Sequence, residues 1–166
     1  MINPEYVQTM SRYNQWQNNS LYSAAGSLSQ AERMKDQGAF FKSIQRTLCH
    51  LLWGDQIWMS RLADTPPPPA GNIQASADMI ADWQELMEKR KAFDLEIISW
   101  ADTVSQETLS GDLSWYSGAA QRDVSKPVAM LVTHMFNHQT HHRGQVHAML
   151  TALNAKPDDT DLFLLQ

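Results

Sequence analysis

Four stretches of this chain carry apolar side chains at helical spacing, and residues that break helices separate them. The first runs from about Pro4 to Ala25. Asn3 suits the N-cap, Pro4 the first helical position and Glu5 the positive end of the helix dipole. Tyr6, Met10, Tyr13, Trp16 and Leu21 form its stripe, Gly26 is its stop, and a polar linker with room for a short helical turn follows. The second stretch, from about Phe40 to Leu62, is apolar over most of its circumference, as a helix packed on several sides must be. Pro66 to Pro69 end it and read as a stiff extended connector. The third starts near Ser76, a good cap with Asp78 behind it, and runs to about Trp100. The fourth runs from Pro127, a suitable first position, to about Asn154. Residues 101–126 lack helical periodicity, and SGDLSWYSG within them reads as a small β-hairpin or an ordered loop before the last helix. The tail KPDDTDLFLLQ is expected to close on an apolar patch. The fold class that follows is all-α, a four-helix bundle with long crossover connections.

The 166 residues fit one domain, 1–166, and 43% hydrophobic with 19% charged residues is the balance of a packed globular chain. Thirteen Lys and Arg against eighteen Asp and Glu give a net charge of −5, which opposes a nucleic-acid partner. The single cysteine, Cys49, excludes a disulfide scaffold and reads as a small core residue. No apolar run approaches the roughly 18 residues of a membrane span, and the opening residues lack a signal-type apolar core. The expectation is a cytoplasmic protein with no membrane partner.

Five of the six histidines, His134, His138, His141, His142 and His147, crowd into the fourth stretch. On a wheel of about 100° per residue, His142 lies along the middle of the apolar side and His138 within about 45° of it. His134 and His141 fall near the edge of the buried arc, His147 faces away, and Arg143 points outward toward a salt-bridge partner. His138 and His142 are therefore the inward pair, spaced four residues apart, so that both rings can reach one ion. Two core hydrogen bonds would satisfy them equally well. An open metal site needs a third protein ligand. His50 is the one histidine elsewhere, yet its side of the second helix reads equally as a cavity wall or a solvated face, and Asp55 competes as a carboxylate. HExxH, Glu-x-x-His, a Gly-rich phosphate loop and GxSxG are all absent.

Together these residues resemble the DinB-like (DinB/YfiT) family of four-helix metalloproteins. The resemblance spans nearly the whole chain. It rests on YNQWQN near Tyr13–Asn18, on FFKSIQRTLCHLLWGDQIWMSRL, and above all on the pattern His-x-x-x-His-Arg-Gly-Gln inside HMFNHQTHHRGQVHAML. The resemblance implies the metal ligands His50, His138 and His142, holding one divalent transition metal, zinc or nickel first. It also implies an up-down-down-up bundle, commonly a homodimer. The implied activity is a thiol-dependent S-transferase that joins a low-molecular-weight thiol, such as bacillithiol or mycothiol, to a small-molecule electrophile. A metal-dependent hydrolase is the alternative enzyme, and a bundle that binds metal or a small ligand without turnover is the non-catalytic one. A purely structural bundle, with its histidines as core hydrogen-bonders, is the third class. Gln145, one turn from His142, is the residue placed to orient a bound nucleophile, unless it bonds across the bundle. His134 and His141 read as rim groups or as groups that support the ligands from behind, with a direct role the lesser alternative. Tyr13, Asn14 and Trp16 belong either to the cavity mouth or to the core.

Overall fold

A computed structural model describes residues 1–118 and 120–165. The chain is mostly helical, with a two-stranded hairpin before the last long helix. Four long helices dominate: α1 (Pro4–Gly26), α3 (Ile44–Leu62), α5 (Trp83–Thr103) and α7 (Val128–Ala152). Short helices α2 (Gln30–Met34), α4 (Ile73–Ser76) and α6 (Gln106–Ser110) and a 3-10 turn at Leu162–Leu164 fill the connections. Strands β1 (Asp112–Ser117) and β2 (Arg122–Pro127) pair antiparallel. Helix α1 packs on α5 and α7, and α3 packs on α7 and α5, so the four contacts close a ring. None of the described helices is long and apolar enough to cross a membrane.

Capping explains where the elements begin. The Asn3 side chain accepts from the Tyr6 amide, with Pro4 behind it. In the polar linker, Ser29 and Glu32 make a capping box that nucleates α2. Helix α3 begins at Ile44 rather than Phe40, because Lys42 adopts a φ of 72° and Ser43 takes the cap. Phe40 is consequently 72% exposed, whereas Phe41 is buried. Ser76 does not open the third long helix. It ends α4, and the chain resumes at Trp83 under an Asp82 cap whose carboxylate accepts from the Glu85 amide at 2.7 Å. Pro127 closes β2 and stands as the N-cap of α7. The tail also departs from expectation. Polar bonds tie it down, Tyr13 donating to the Thr160 carbonyl and Gln17 to the Asp159 carbonyl, while Phe163 is 83% exposed.

The apolar core is threaded by charge. Arg90 on α5 reaches Asp55 on α3 at 2.6 Å and Asp94, one turn along its own helix, at 2.8 Å. Asn18 and Asn14 on α1 donate to Asp94, and Gln139 on α7 donates to Asp55 at 3.0 Å. Arg143 on α7 donates to the Asn14 side-chain oxygen. All seven groups are buried, and together they touch every long helix. Burial raises the pKa of both carboxyls while Arg90 pulls them back down. Burial also opposes the charge on Arg90, but Asp94 and Asp55 outweigh it and hold the guanidinium protonated.

Removing the cation from such a pair leaves a buried charge uncompensated, which costs about 3–5 kcal/mol. Arg90→Met is therefore expected to lower unfolding free energy by about that amount, measured by urea unfolding at neutral pH.

Candidate metal centre

Helices α3 and α7 bring three imidazoles to one wall of a cavity of about 880 Å³. His50 comes from the middle of α3, and His138 and His142 come from adjacent turns of α7. The His138 Nε2 atom lies 3.3 Å from His50 Nε2 and 3.1 Å from His142 Nε2. One ligand atom from each ring lies within 4.8 Å of the others, so the three residues could hold a metal ion. The structure thus brings together the three residues that the family resemblance singled out.

The tautomers of two rings follow from their outer partners. Ser76 Oγ donates to the Ile73 carbonyl at 2.5 Å and lies 2.7 Å from His50 Nδ1. With its proton already committed, the hydroxyl accepts from His50 Nδ1–H, which leaves Nε2 as a bare lone pair. Gln145 Oε1 can only accept, so the 2.8 Å contact places a proton on His142 Nδ1 and again frees Nε2. The Gln145 amide nitrogen meanwhile reaches His141 Nε2 at 3.2 Å. His138 Nδ1 has no partner among the described residues. Lone pairs crowded within 3.3 Å repel unless a proton or a cation lies between them. The donor set therefore fits a divalent ion of the borderline class that prefers imidazole.

Electrostatics favours the same state. Burial lowers the pKa of His50 to about 3 and that of His138 to about 3, in each case with neighbouring histidines adding to the effect. Burial also lowers that of His142, although its bond to Gln145 partly offsets the shift. All three rings are thus neutral at physiological pH, the form that ligates metals. Phe41 stacks on His50, ring centroids 4.0 Å apart, and closes one side.

Other residues of the site were not apparent in the sequence. Gly54 faces His138 so closely that a Cβ there would lie 2.7 Å from His138 Cε1. A glycine in mid-helix, four residues after a histidine, was the available signal. Ser76 reads as a helix cap in the sequence, and only the tertiary fold turns it toward His50. Asp55 lies outside the centre, as a salt-bridge partner of Arg90. Cys49 is buried and its sulfur accepts from the Ile80 amide. His134 lines the cavity against Trp58, centroids 5.0 Å apart, whereas His141 is exposed, outside the cavity lining, with its ring 4.9 Å from that of His142. Asn14 is core, and Tyr13 holds the tail rather than the cavity mouth. The outward placement of Arg143 is overturned. It is 5% exposed and bonds Asn14 and Thr140, because α7 packs against both α1 and α3 and its buried arc is wider than its apolar stripe. Burial lowers its pKa to about 10, so it stays charged at neutral pH.

Comparison with known proteins adds one finding. The family model described as the DinB family matches residues 1–166. No curated protein matches the chain.

Two predictions follow from the geometry. Gly54→Ala should favour the helix by about 0.5–1 kcal/mol, yet push the His138 ring aside and weaken any affinity for an added divalent ion by at least about tenfold. Competition titration with a chelating dye, beside a thermal melt, separates the two effects. The depressed histidines also set a pH response. Between their folded pKa of about 3 and the ordinary 6.5, the unfolded chain binds more protons, so metal-free protein loses stability as pH falls through that window. Urea unfolding at several pH values should give a shallower loss for His138→Gln than for the wild type.

Proposed function

From the premise that the chain belongs to the DinB family, we propose that it is a metal-dependent enzyme that transfers a low-molecular-weight thiol to a small electrophile. The observation that carries this reading is the convergence of three Nε2 atoms on the wall of a cavity large enough for a small-molecule substrate. His50, His138 and His142 would hold the ion. A divalent ion bound by three imidazoles supplies Lewis acidity that lowers the pKa of a thiol or water beside it.

The chain's own residues then have distinct tasks. Ser76 and Gln145 hold His50 and His142 with their Nε2 atoms toward the ion, which makes them positioning residues. Phe41, Trp53, Trp58 and Trp115 form an aromatic wall suited to an apolar electrophile and exclude water from it. No carboxylate lines the cavity among the described residues. That favours a thiol over water as nucleophile, since a thiol of pKa about 8.5 needs less help to lose its proton near neutrality. In the transfer, a sulfur–carbon bond forms, the leaving group departs with the electron pair of the broken bond, and the thiol proton passes to solvent. The same resemblance extends to a four-helix bundle, a homodimer, and zinc or nickel as the ion.

Elemental analysis of untagged protein is expected to find about one divalent ion per chain in the wild type. His50→Ala, His138→Ala and His142→Ala should each retain far less. Zinc- or nickel-loaded wild type should accelerate thiol consumption by 1-chloro-2,4-dinitrobenzene, with chloride released, and the three variants should not. Metal-loaded protein that stays inert across a panel of thiols and electrophiles would leave a binding module. A wild type without stoichiometric metal would leave a structural helical protein.

A further inference from the structure

The cavity wall carries one permanent charge among the described residues, Arg61 on the last turn of α3. Its guanidinium lies over two indoles at once, 4.9 Å from the Trp58 ring and 5.4 Å from the Trp115 ring of β1. Contact with the two indoles holds the group in place without using its N–H donors. No carboxylate or other hydrogen-bond partner meets Arg61 among the described residues, although the chain is acidic overall and its other half-buried or buried arginines find partners, Arg33 in the Ala25 carbonyl, Arg46 in Asp78, Arg90 in Asp55 and Arg143 in Asn14. Burial disfavours its charge, and nothing nearby offsets the loss of water.

Position connects this cation to the metal centre. Arg61 is eleven residues after His50 on one helix. At about 100° and 1.5 Å per residue, the two share a face to within about 20° and stand about 16 Å apart along the axis. Gly54 and Ile57 lie between them on that face with Trp58 at its edge, so one apolar trough runs from the imidazoles to the guanidinium.

We propose that Arg61 is a specificity-determining residue: one of the two reactants is an extended molecule with an apolar body and a carboxylate, which the guanidinium grips at the far end of the cavity. A planar carboxylate matches the guanidinium fork bidentately, and the Trp58–Trp115 pair flanks the apolar body. The inference rests on the proposed reading of the cavity as a substrate site and names the class of molecule it takes.

The test compares 6-phenylhexanoate with its uncharged isostere 6-phenylhexanamide, titrated calorimetrically into the metal-free full chain so that carboxylate–metal bonding plays no part. The wild type is expected to favour the carboxylate by about tenfold or more. Arg61→Lys should keep most of that preference, and Arg61→Gln should abolish it while leaving amide affinity in place. Equal binding of the two ligands by the wild type, or a preference retained in Arg61→Gln, overturns the proposal. Should Arg61→Gln unfold the hairpin, the wild type alone decides. Raising salt from about 0.05 to about 0.5 M must shrink the preference and spare the amide, and a preference indifferent to salt overturns the proposal. Loss of the preference beside intact metal-dependent turnover would sink this inference alone. Absent turnover beside an intact preference would sink the enzymatic reading alone.

Discussion

The ion pair between Asp55 and Arg90 sets the register of the structure. Buried charges tolerate little displacement, since each must keep its partner or meet the cost of standing alone in a low-dielectric interior. Arg90 satisfies this by spanning Asp55 on α3 and Asp94 on α5, and Asn14 and Asn18 complete the shell from α1. Gln139 then ties Asp55 to α7. A slide of α3 against α7 by one turn, about 5.4 Å, would break the Gln139 bond and strand the carboxylate.

That register is what assembles the histidine cluster. His138 adjoins Gln139 in sequence, and His50 stands five residues before Asp55, so the bond that aligns the carboxylate also aligns the imidazoles. Three rings that have lost their water and face one another are held in their neutral form, because burial disfavours the protonated form of each. The fold keeps them there through stacking by Phe41, hydrogen bonds that His50 and His142 donate to Ser76 and Gln145, and the missing side chain at Gly54. A divalent ion would be attracted to this arrangement by the neutral imidazole lone pairs that burial preserves.

Much of this was legible residue by residue. Apolar spacing, proline and glycine placement and the Asn3 cap located the four long helices, because helix periodicity and end chemistry are local. Errors fell where a neighbour in space outweighed a neighbour in sequence. Ser76 looked like a cap and serves His50. Phe40 looked like core and lies in the exposed turn that Lys42 imposes with its positive φ. Arg143 looked solvated because the wheel was centred on apolar side chains, whereas the face of α1 that meets α7 is polar at Asn14. A wheel weighted by hydropathy cannot see a buried polar contact whose other half lies 129 residues away.

The sequence alone determined the helical class, the inward pairing of His138 and His142 and, through the family motif, His50 as their companion. These depend on the 3.6-residue period and on short patterns that survive without knowledge of the fold. Only the tertiary structure decided that the rings face a cavity, which nitrogen of His50 and His142 is free, that Gly54 makes room for His138, and that Arg61 lies against two indoles with no carboxylate partner among the described residues. Each of those facts is a distance between parts of the chain far apart in sequence. Packing sets such distances through volume and charge, and local periodicity does not encode them.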